Sequence, residues 1–120
     1  MSKPRLLIVD DEIAIRTALH RWFLLHEFDA DCASNGLEAV NLCRINAYDL
    51  VTIDLDMPLM GGLEAIPLIR EIHPQIPIVV LTGYAKDTGI ALAKGAQRVC
   101  VKPLRLSELE AQVRSVLAGN

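Results

Sequence analysis

Carboxylate, hydroxyl and ammonium side chains occur in this sequence directly after short apolar segments. The combinations are Leu6–Val9 before Asp10 and Asp11, Leu50–Ile53 before Asp54, Ile78–Leu81 before Thr82, and Val99–Val101 before Lys102. Short segments that are rich in β-branched residues and bounded by turn formers are typical of buried strands. Because ligands of parallel sheets bind outside the carboxyl ends of the strands, we expect these polar side chains to converge at one edge.

The residue types at this edge favour a metal ion and a phosphoryl group. Carboxylates held close together raise one another's pKa, and a divalent cation removes that repulsion. Ligands that are all oxygen select Mg²⁺, which keeps several of its waters. One carboxylate is then free to attack phosphorus, while Lys102 and Thr82 interact with the remaining phosphoryl oxygens.

Helical patterns alternate with the apolar segments along the chain. Strands are predicted at about 5–9, 28–33, 50–53, 78–81 and 99–101. Helices are predicted at about 13–26, 36–45, 63–72 and 107–117, with a short helix within 86–94. Gly95 is expected to end the fourth helix, and Ser107, or a residue slightly earlier, to cap the fifth. The strict alternation predicts an α/β fold, a single doubly wound domain with a five-stranded parallel sheet between helices.

Two local signals bear on the helix boundaries. Asn35, with Glu38 three residues further on, predicts the N-cap of the second helix. Pro67 lies in the pattern of the third helix, where an interior proline costs roughly 3 kcal/mol. We therefore expect this helix to begin late, near Leu63 or Glu64, or to be kinked.

Bulk composition limits the class of protein. The length of 120 residues and the hydrophobic content of 52% predict one domain, residues 1–120, with a core of its own. A formal charge of −3 without a basic cluster argues against direct nucleic-acid binding, and no apolar stretch approaches the ~20 residues of a membrane span. Cys32, Cys43 and Cys100 are odd in number and widely spaced, which predicts reduced thiols and a cytoplasmic location.

Five motifs combine into a specific pattern: Leu7–Glu12, Asp54–Gly62, Leu81–Gly83, Gly95–Ala96 and Val101–Pro103. Together they resemble the receiver domain of two-component response regulators, of the chemotaxis-regulator type, over essentially the whole chain. The resemblance implies a flavodoxin-like strand order of 2-1-3-4-5. It also implies a phosphoacceptor that takes its phosphoryl group from a sensor histidine kinase or a phosphotransfer protein and is not a turnover enzyme.

The resemblance also implies roles for the residues around the phosphoryl group. Asp54 would be the phosphorylated nucleophile, Thr82 the switch hydroxyl and Lys102 the cation that binds the phosphoryl group. The peptide bond from Lys102 to Pro103 would be cis, consistent with the low cis penalty of proline. Gly83 would keep the phosphoryl pocket open.

The metal site is implied in the same way. Asp11 would bind Mg²⁺ directly and Asp10 mainly through water, with Asp54 and the backbone carbonyl of Asp56 as further ligands. Mn²⁺ is the alternative metal. The side chains of Asp56 and Tyr84 would flank the pocket, where they are either tuning groups or ordinary loop residues.

Three departures from the family pattern concern the readout of phosphorylation. Val99 stands where relatives often carry a switch aromatic, the interval from Thr82 to Lys102 is short, and Gly89 falls inside the fourth helix. All three lie on the face formed by helix four, strand five and helix five, through which relatives usually contact an output domain or partner. Because glycine weakens a helix, we expect helix four to be the mobile element.

Three alternative functions are compatible with parts of the sequence. Asp54 and Asp56 match the nucleophile and general acid of haloacid-dehalogenase-like phosphatases, although that motif normally follows the first strand. A flavodoxin-like cofactor binder shares the fold, but Asp10 and Asp11 would repel phosphate. An interaction-only pseudo-receiver is favoured only if the acidic pocket binds no metal.

Overall fold

Strands and helices alternate in the computed structural model, which describes residues 2–120. The strands are β1 Arg5–Val9, β2 Asp29–Ala33, β3 Leu50–Asp54, β4 Ile78–Thr82 and β5 Arg98–Val101. The helices are α1 Ile13–Leu25, α2 Gly36–Ile45, α3 Gly62–Ile72, α4 Thr88–Lys94 and α5 Leu106–Leu117. A 3-10 turn at Ala85–Asp87 precedes α4, which lies within the predicted segment 86–94.

The five strands form one sheet in the order β2-β1-β3-β4-β5, and every neighbouring pair is parallel. This is the predicted doubly wound, flavodoxin-like order. From β1 the strand order first runs to β2 at one edge of the sheet, and then from β3 to β5 at the other edge. The strand order therefore reverses between β1 and β3, which lie side by side with Val9 opposite Ile53. The reversal therefore brings Asp10 and Asp54, the residues at the ends of these strands, next to each other.

Apolar layers cover both faces of the sheet. Alternate residues of the central strands enter the two layers: Leu7, Val9, Val51, Ile53, Ile78 and Val80 face α2, α3 and α4, while Leu6, Ile8, Leu50, Val79 and Leu81 face α1 and α5. β3 and β4 are buried along their full length, as expected for parallel strands covered on both sides. The two layers thus bury the central strands up to Asp54 and Thr82 at the carboxyl edge of the sheet.

The predicted cap of α2 is present, whereas α3 begins earlier than expected. The Asn35 side chain accepts a hydrogen bond of 2.9 Å from the Glu38 amide. α3 begins at Gly62, whose amide donates to the Leu55 carbonyl at 3.0 Å, and it continues through Pro67. Since proline has no amide proton, the Leu63 carbonyl receives no hydrogen bond from that position.

The ends of α4 and α5 follow from local backbone chemistry. Gly95 ends α4 in the left-handed region at φ 118°, which favours glycine. α5 begins at Leu106, so the earlier of the predicted starts is correct and Ser107 is not its cap. Glu108 instead accepts a hydrogen bond of 3.1 Å from the Arg105 amide.

Candidate functional site

Three carboxylates meet at the carboxyl edge of the sheet. One oxygen from each of Asp10, Asp11 and Asp54 lies within 4.8 Å of the other two. Asp10 and Asp54 are buried, with 1% and 6% of their surface exposed, while Asp11 is exposed. The structure therefore brings together the acidic residues that the strand-end pattern predicted.

The carboxylate of Asp10 lies in an electrostatically unfavourable environment. Its Oδ1 accepts a hydrogen bond of 2.9 Å from the Glu12 amide, but its buried Oδ2 has no hydrogen-bond partner among the described residues. Burial raises the pKa of Asp10, and the charges of Asp54 and Asp11 act in the same direction, against the Glu12 amide and Lys102. A buried carboxylate oxygen without a donor, in an all-oxygen cluster, fits a divalent cation such as Mg²⁺.

Lys102 supplies a positive charge within reach of this cluster. Its Nζ lies 3.2 Å from Asp54 Oδ2 and 3.9 Å from Asp10 Oδ2. The Lys102 amide donates to the Thr82 carbonyl at 2.8 Å, which extends the pairing of β5 with β4 by one step and fixes the start of the lysine side chain. The bond from Lys102 to Pro103 is cis, the isomer that the resemblance implies.

Thr82 ends β4 with its side chain buried, and its hydroxyl does not bind the acidic cluster. Its Oγ1 accepts a hydrogen bond of 3.1 Å from the Tyr84 amide and donates to Asp87 Oδ2 at 3.0 Å. Asp87 was not predicted as part of the site. Its place after Thr82, in a segment read as the start of a helix, gave no signal that the two side chains meet.

The remaining predicted residues surround the cluster at different depths. The Asp56 amide donates to Asp54 Oδ1 at 3.3 Å, although the Asp56 side chain points outward and is exposed. A Cβ built on Gly83 would have no neighbour within 4 Å, so packing does not require glycine there, and crowding of a phosphoryl group stays a prediction. Tyr84 is exposed, and Val99 is half-buried against the apolar layer of α3 and α4.

The fold and the site define a class of protein: a doubly wound α/β domain with an acidic pocket and one facing lysine at the carboxyl edge. The sequence model of the response regulator receiver domain matches residues 6–114. The chain belongs to this family.

Curated relatives include transcriptional regulators from bacteria. PrrA of Mycobacterium bovis is 31% identical over 119 residues, which are 98% of this chain and 51% of PrrA. The regulatory protein AtoC of Escherichia coli is 37% identical over 94% of this chain and 25% of its own length. The chain thus spans about half of the first relative and a quarter of the second.

Solved structures support the same assignment. The response regulator TrrA of Thermotoga maritima, in complex with Mg²⁺ and BeF, has a TM-score of 0.87 and 33% identity over 94% of this chain and 98% of its own. A CheY-like receiver domain of Methanospirillum hungatei has a TM-score of 0.94 at 24% identity, covering 98% and 96% of the two chains, and shows the shared fold. These matches confirm the prediction of a phosphoacceptor receiver domain and set aside the phosphatase and cofactor-binder readings. In the part of the chain that the structure describes, no helix is long and apolar enough to cross a membrane.

Proposed function

We propose that Asp54 is the residue that accepts the phosphoryl group. The observation that carries this proposal is the position of its carboxylate, 3.2 Å from Lys102 Nζ and within 4.8 Å of oxygens of Asp10 and Asp11. The side chain of Asp10 is only 1% exposed, against 8% for Asp54, and Asp11 forms no ion pair with a lysine among residues 2–120. Asp54 is therefore the carboxylate best placed to become a nucleophile with a cation at hand.

Asp10, Asp11 and Asp54, with the backbone carbonyl of Asp56, would hold Mg²⁺, or Mn²⁺ as the alternative. When bound, the metal supplies positive charge to the phosphoryl oxygens. The unpartnered Asp10 Oδ2 supports this role, because a buried carboxylate oxygen without a donor is costly unless a cation satisfies it.

The reaction transfers a phosphoryl group from a phosphohistidine to Asp54. The P–N bond of the donor breaks, and an oxygen of the Asp54 carboxylate forms the new P–O bond. The Lys102 ammonium neutralises charge on a phosphoryl oxygen and the Thr82 hydroxyl donates to another. The domain thereby promotes its own phosphorylation and the slow hydrolysis of the resulting acyl phosphate. It does not turn over a separate substrate.

The donor is a sensor histidine kinase or a phosphotransfer protein in the cytoplasm, and residues 1–120 act as one receiver domain. The chain covers only part of PrrA and AtoC, and phosphorylation is therefore proposed to act on an output domain or a partner protein. The face of α4, β5 and α5 suits that contact, because Ile90, Leu92 and Val101 are exposed there by 48%, 47% and 39%. The domain itself binds neither nucleic acid nor membrane.

A small phosphodonor tests this function without knowledge of the kinase. Incubation with acetyl phosphate and Mg²⁺ is expected to add one phosphate that is labile to hydroxylamine, measured by intact mass. Asp54→Asn should lose the modification, whereas Glu71→Gln, which removes an exposed charge on α3, should keep it. Equal and equally labile modification of Asp54→Asn would refute the assignment, and failure of the wild type to bind Mg²⁺ or phosphate would favour the pseudo-receiver.

A further inference from the structure

The hydroxyl of Thr82 is already committed to a partner outside the acidic cluster. It accepts from the Tyr84 amide at 3.1 Å and donates its single proton to Asp87 Oδ2 at 3.0 Å. A hydroxyl has one proton to donate. Thr82 therefore cannot donate to a phosphoryl oxygen and to Asp87 at the same time.

Asp87 is at the N-cap position of α4 but does not cap the helix with its side chain. It is the residue directly before α4, yet its side chain makes no hydrogen bond to the first turn of that helix, and its backbone is in the right-handed helical region. An aspartate before a helix ordinarily caps it from an extended backbone. Here the carboxylate reaches back across the 3-10 turn to Thr82 instead.

We propose that Asp87 is a latch on the switch threonine. Its carboxylate holds the Thr82 hydroxyl in the unphosphorylated domain, and the phosphoryl group on Asp54 must displace it to gain the hydroxyl's proton. Asp87 is thus a positioning residue that acts through Thr82 and sets how readily phosphorylation changes the conformation. This inference rests on the proposed function of Asp54.

The connection to α4 gives the latch a conformational output. Asp87 lies next to Thr88, the first residue of α4, and Ala91 is the one residue of that helix that is buried. Gly89 lies in the first turn, where a Cβ would have no neighbour within 4 Å. Since little packing holds this helix, release of the Asp87 carboxylate frees the 3-10 turn and α4 together.

The latch makes a quantitative prediction through linkage. An interaction present only in the unphosphorylated state lowers the affinity for any ligand that breaks it. Removal of the hydrogen bond between Thr82 and the charged Asp87 destabilises only the unphosphorylated state. The affinity for a phosphoryl mimic should therefore rise by about tenfold. The effect must disappear when Thr82 lacks its hydroxyl.

Beryllofluoride with Mg²⁺ serves as the probe, since it stands in for the phosphoryl group on the carboxylate. Its affinity is measured by titration NMR at fixed Mg²⁺ for the wild type, Asp87→Ala, Thr82→Ala and the double variant. We expect Asp87→Ala to tighten binding about tenfold in the wild-type background and far less in the Thr82→Ala background. Asp87→Asn should tighten binding less than Asp87→Ala, because its amide oxygen still accepts from the hydroxyl.

The four-protein cycle separates the latch from a general charge effect. Equal tightening by Asp87→Ala in both backgrounds would mean that the mutation only relieves repulsion, and the latch would be refuted. Unchanged or weaker binding by Asp87→Ala in the wild-type background would refute it as well. A wild type that does not bind beryllofluoride at all would overturn the proposed function itself, which is a distinct result.

Discussion

The substitution Asp10→Asn is expected to stabilise the domain in the absence of metal. The Asp10 side chain is buried, its Oδ2 has no hydrogen-bond partner in the described chain, and carboxylate oxygens of Asp11 and Asp54 lie within 4.8 Å. An asparagine can still accept from the Glu12 amide, and its amide group can donate where Oδ2 now repels its neighbours.

The magnitude follows from the distances. At an effective dielectric constant of about 20, two unit charges at 4.8 Å repel by roughly 3.5 kcal/mol. Asp10 has two such neighbours, while Lys102 at 3.9 Å returns roughly 4 kcal/mol of attraction. Because solvent screens the exposed Asp11, its repulsion falls to about 1 kcal/mol or less, and the charge terms nearly cancel. The burial of Asp10, which is the first cause of its raised pKa, then decides the sign. We expect Asp10→Asn to raise the free energy of unfolding by about 1 kcal/mol.

Urea denaturation followed by fluorescence measures this change, since Trp22 is the single tryptophan. The pKa of Asp10 is raised from 3.8 in the folded state, so its unfavourable contribution is complete above that raised value and disappears as the pH falls towards the unfolded value. The advantage of Asp10→Asn should therefore be largest at neutral pH and shrink in acid. Saturating Mg²⁺ should close the gap, because only the wild type gains the full binding energy.

A charge-matched control keeps this test specific. Glu12→Gln removes an exposed charge close to the cluster and should change stability by less than about 0.5 kcal/mol. The contrary results are a lower stability of Asp10→Asn than of the wild type without metal, and a difference in stability between the two proteins that Mg²⁺ leaves unchanged. Either result would mean that Asp10 does not belong to a cluster of mutually repelling, metal-binding carboxylates.

Further predictions concern other parts of the fold. Thr52 Oγ1 is buried without a partner in residues 2–120, so Thr52→Val should raise the free energy of unfolding by about 1 kcal/mol in denaturant titrations. Hydrogen bonding to Arg114 lowers the pKa of Glu110 from 4.5, so the small stabilisation from this pair, at most about 1 kcal/mol, is present above that pH and lost below the lowered value. Glu110→Gln should therefore lower stability at neutral pH and have no effect in strong acid. Beryllofluoride with Mg²⁺ should change amide exchange mainly across Thr82–Gly95, with little repacking of Val99, and unchanged exchange there would exclude α4 as the switch.

Much of the fold could be predicted because its signals are local in sequence. β3 and β4 are short β-branched segments buried on both faces, and their length and flanking residues identify them. Parallel pairing in the strand order that the resemblance implies, with β1 beside β3, then places Asp10 beside Asp54. The Asn35 cap is also encoded within four residues.

The parts that escaped prediction depend on contacts that periodicity does not encode. The bond between Thr82 and Asp87 crosses a 3-10 turn, and the sequence pattern there is equally compatible with a regular helix. The early start of α3 follows from the close approach of Gly62 to the backbone of Asp54, where a Cβ would lie 2.7 Å from the carbonyl oxygen. The start of α5 depends on Glu108 reaching the Arg105 amide, which made the serine at 107 a misleading signal.

Chemical mapping of the phosphorylated residue tests the central claim most directly. Borohydride reduces an acyl phosphate on an aspartate to a primary alcohol, and peptide mass spectrometry then locates the reduced side chain. After treatment with acetyl phosphate and Mg²⁺, we predict a reduced side chain at Asp54, none at Asp10, Asp11 or Asp56, and no reduction when Mg²⁺ is removed. Reduction at one of the other three aspartates, with Asp54 unchanged, would contradict the assignment.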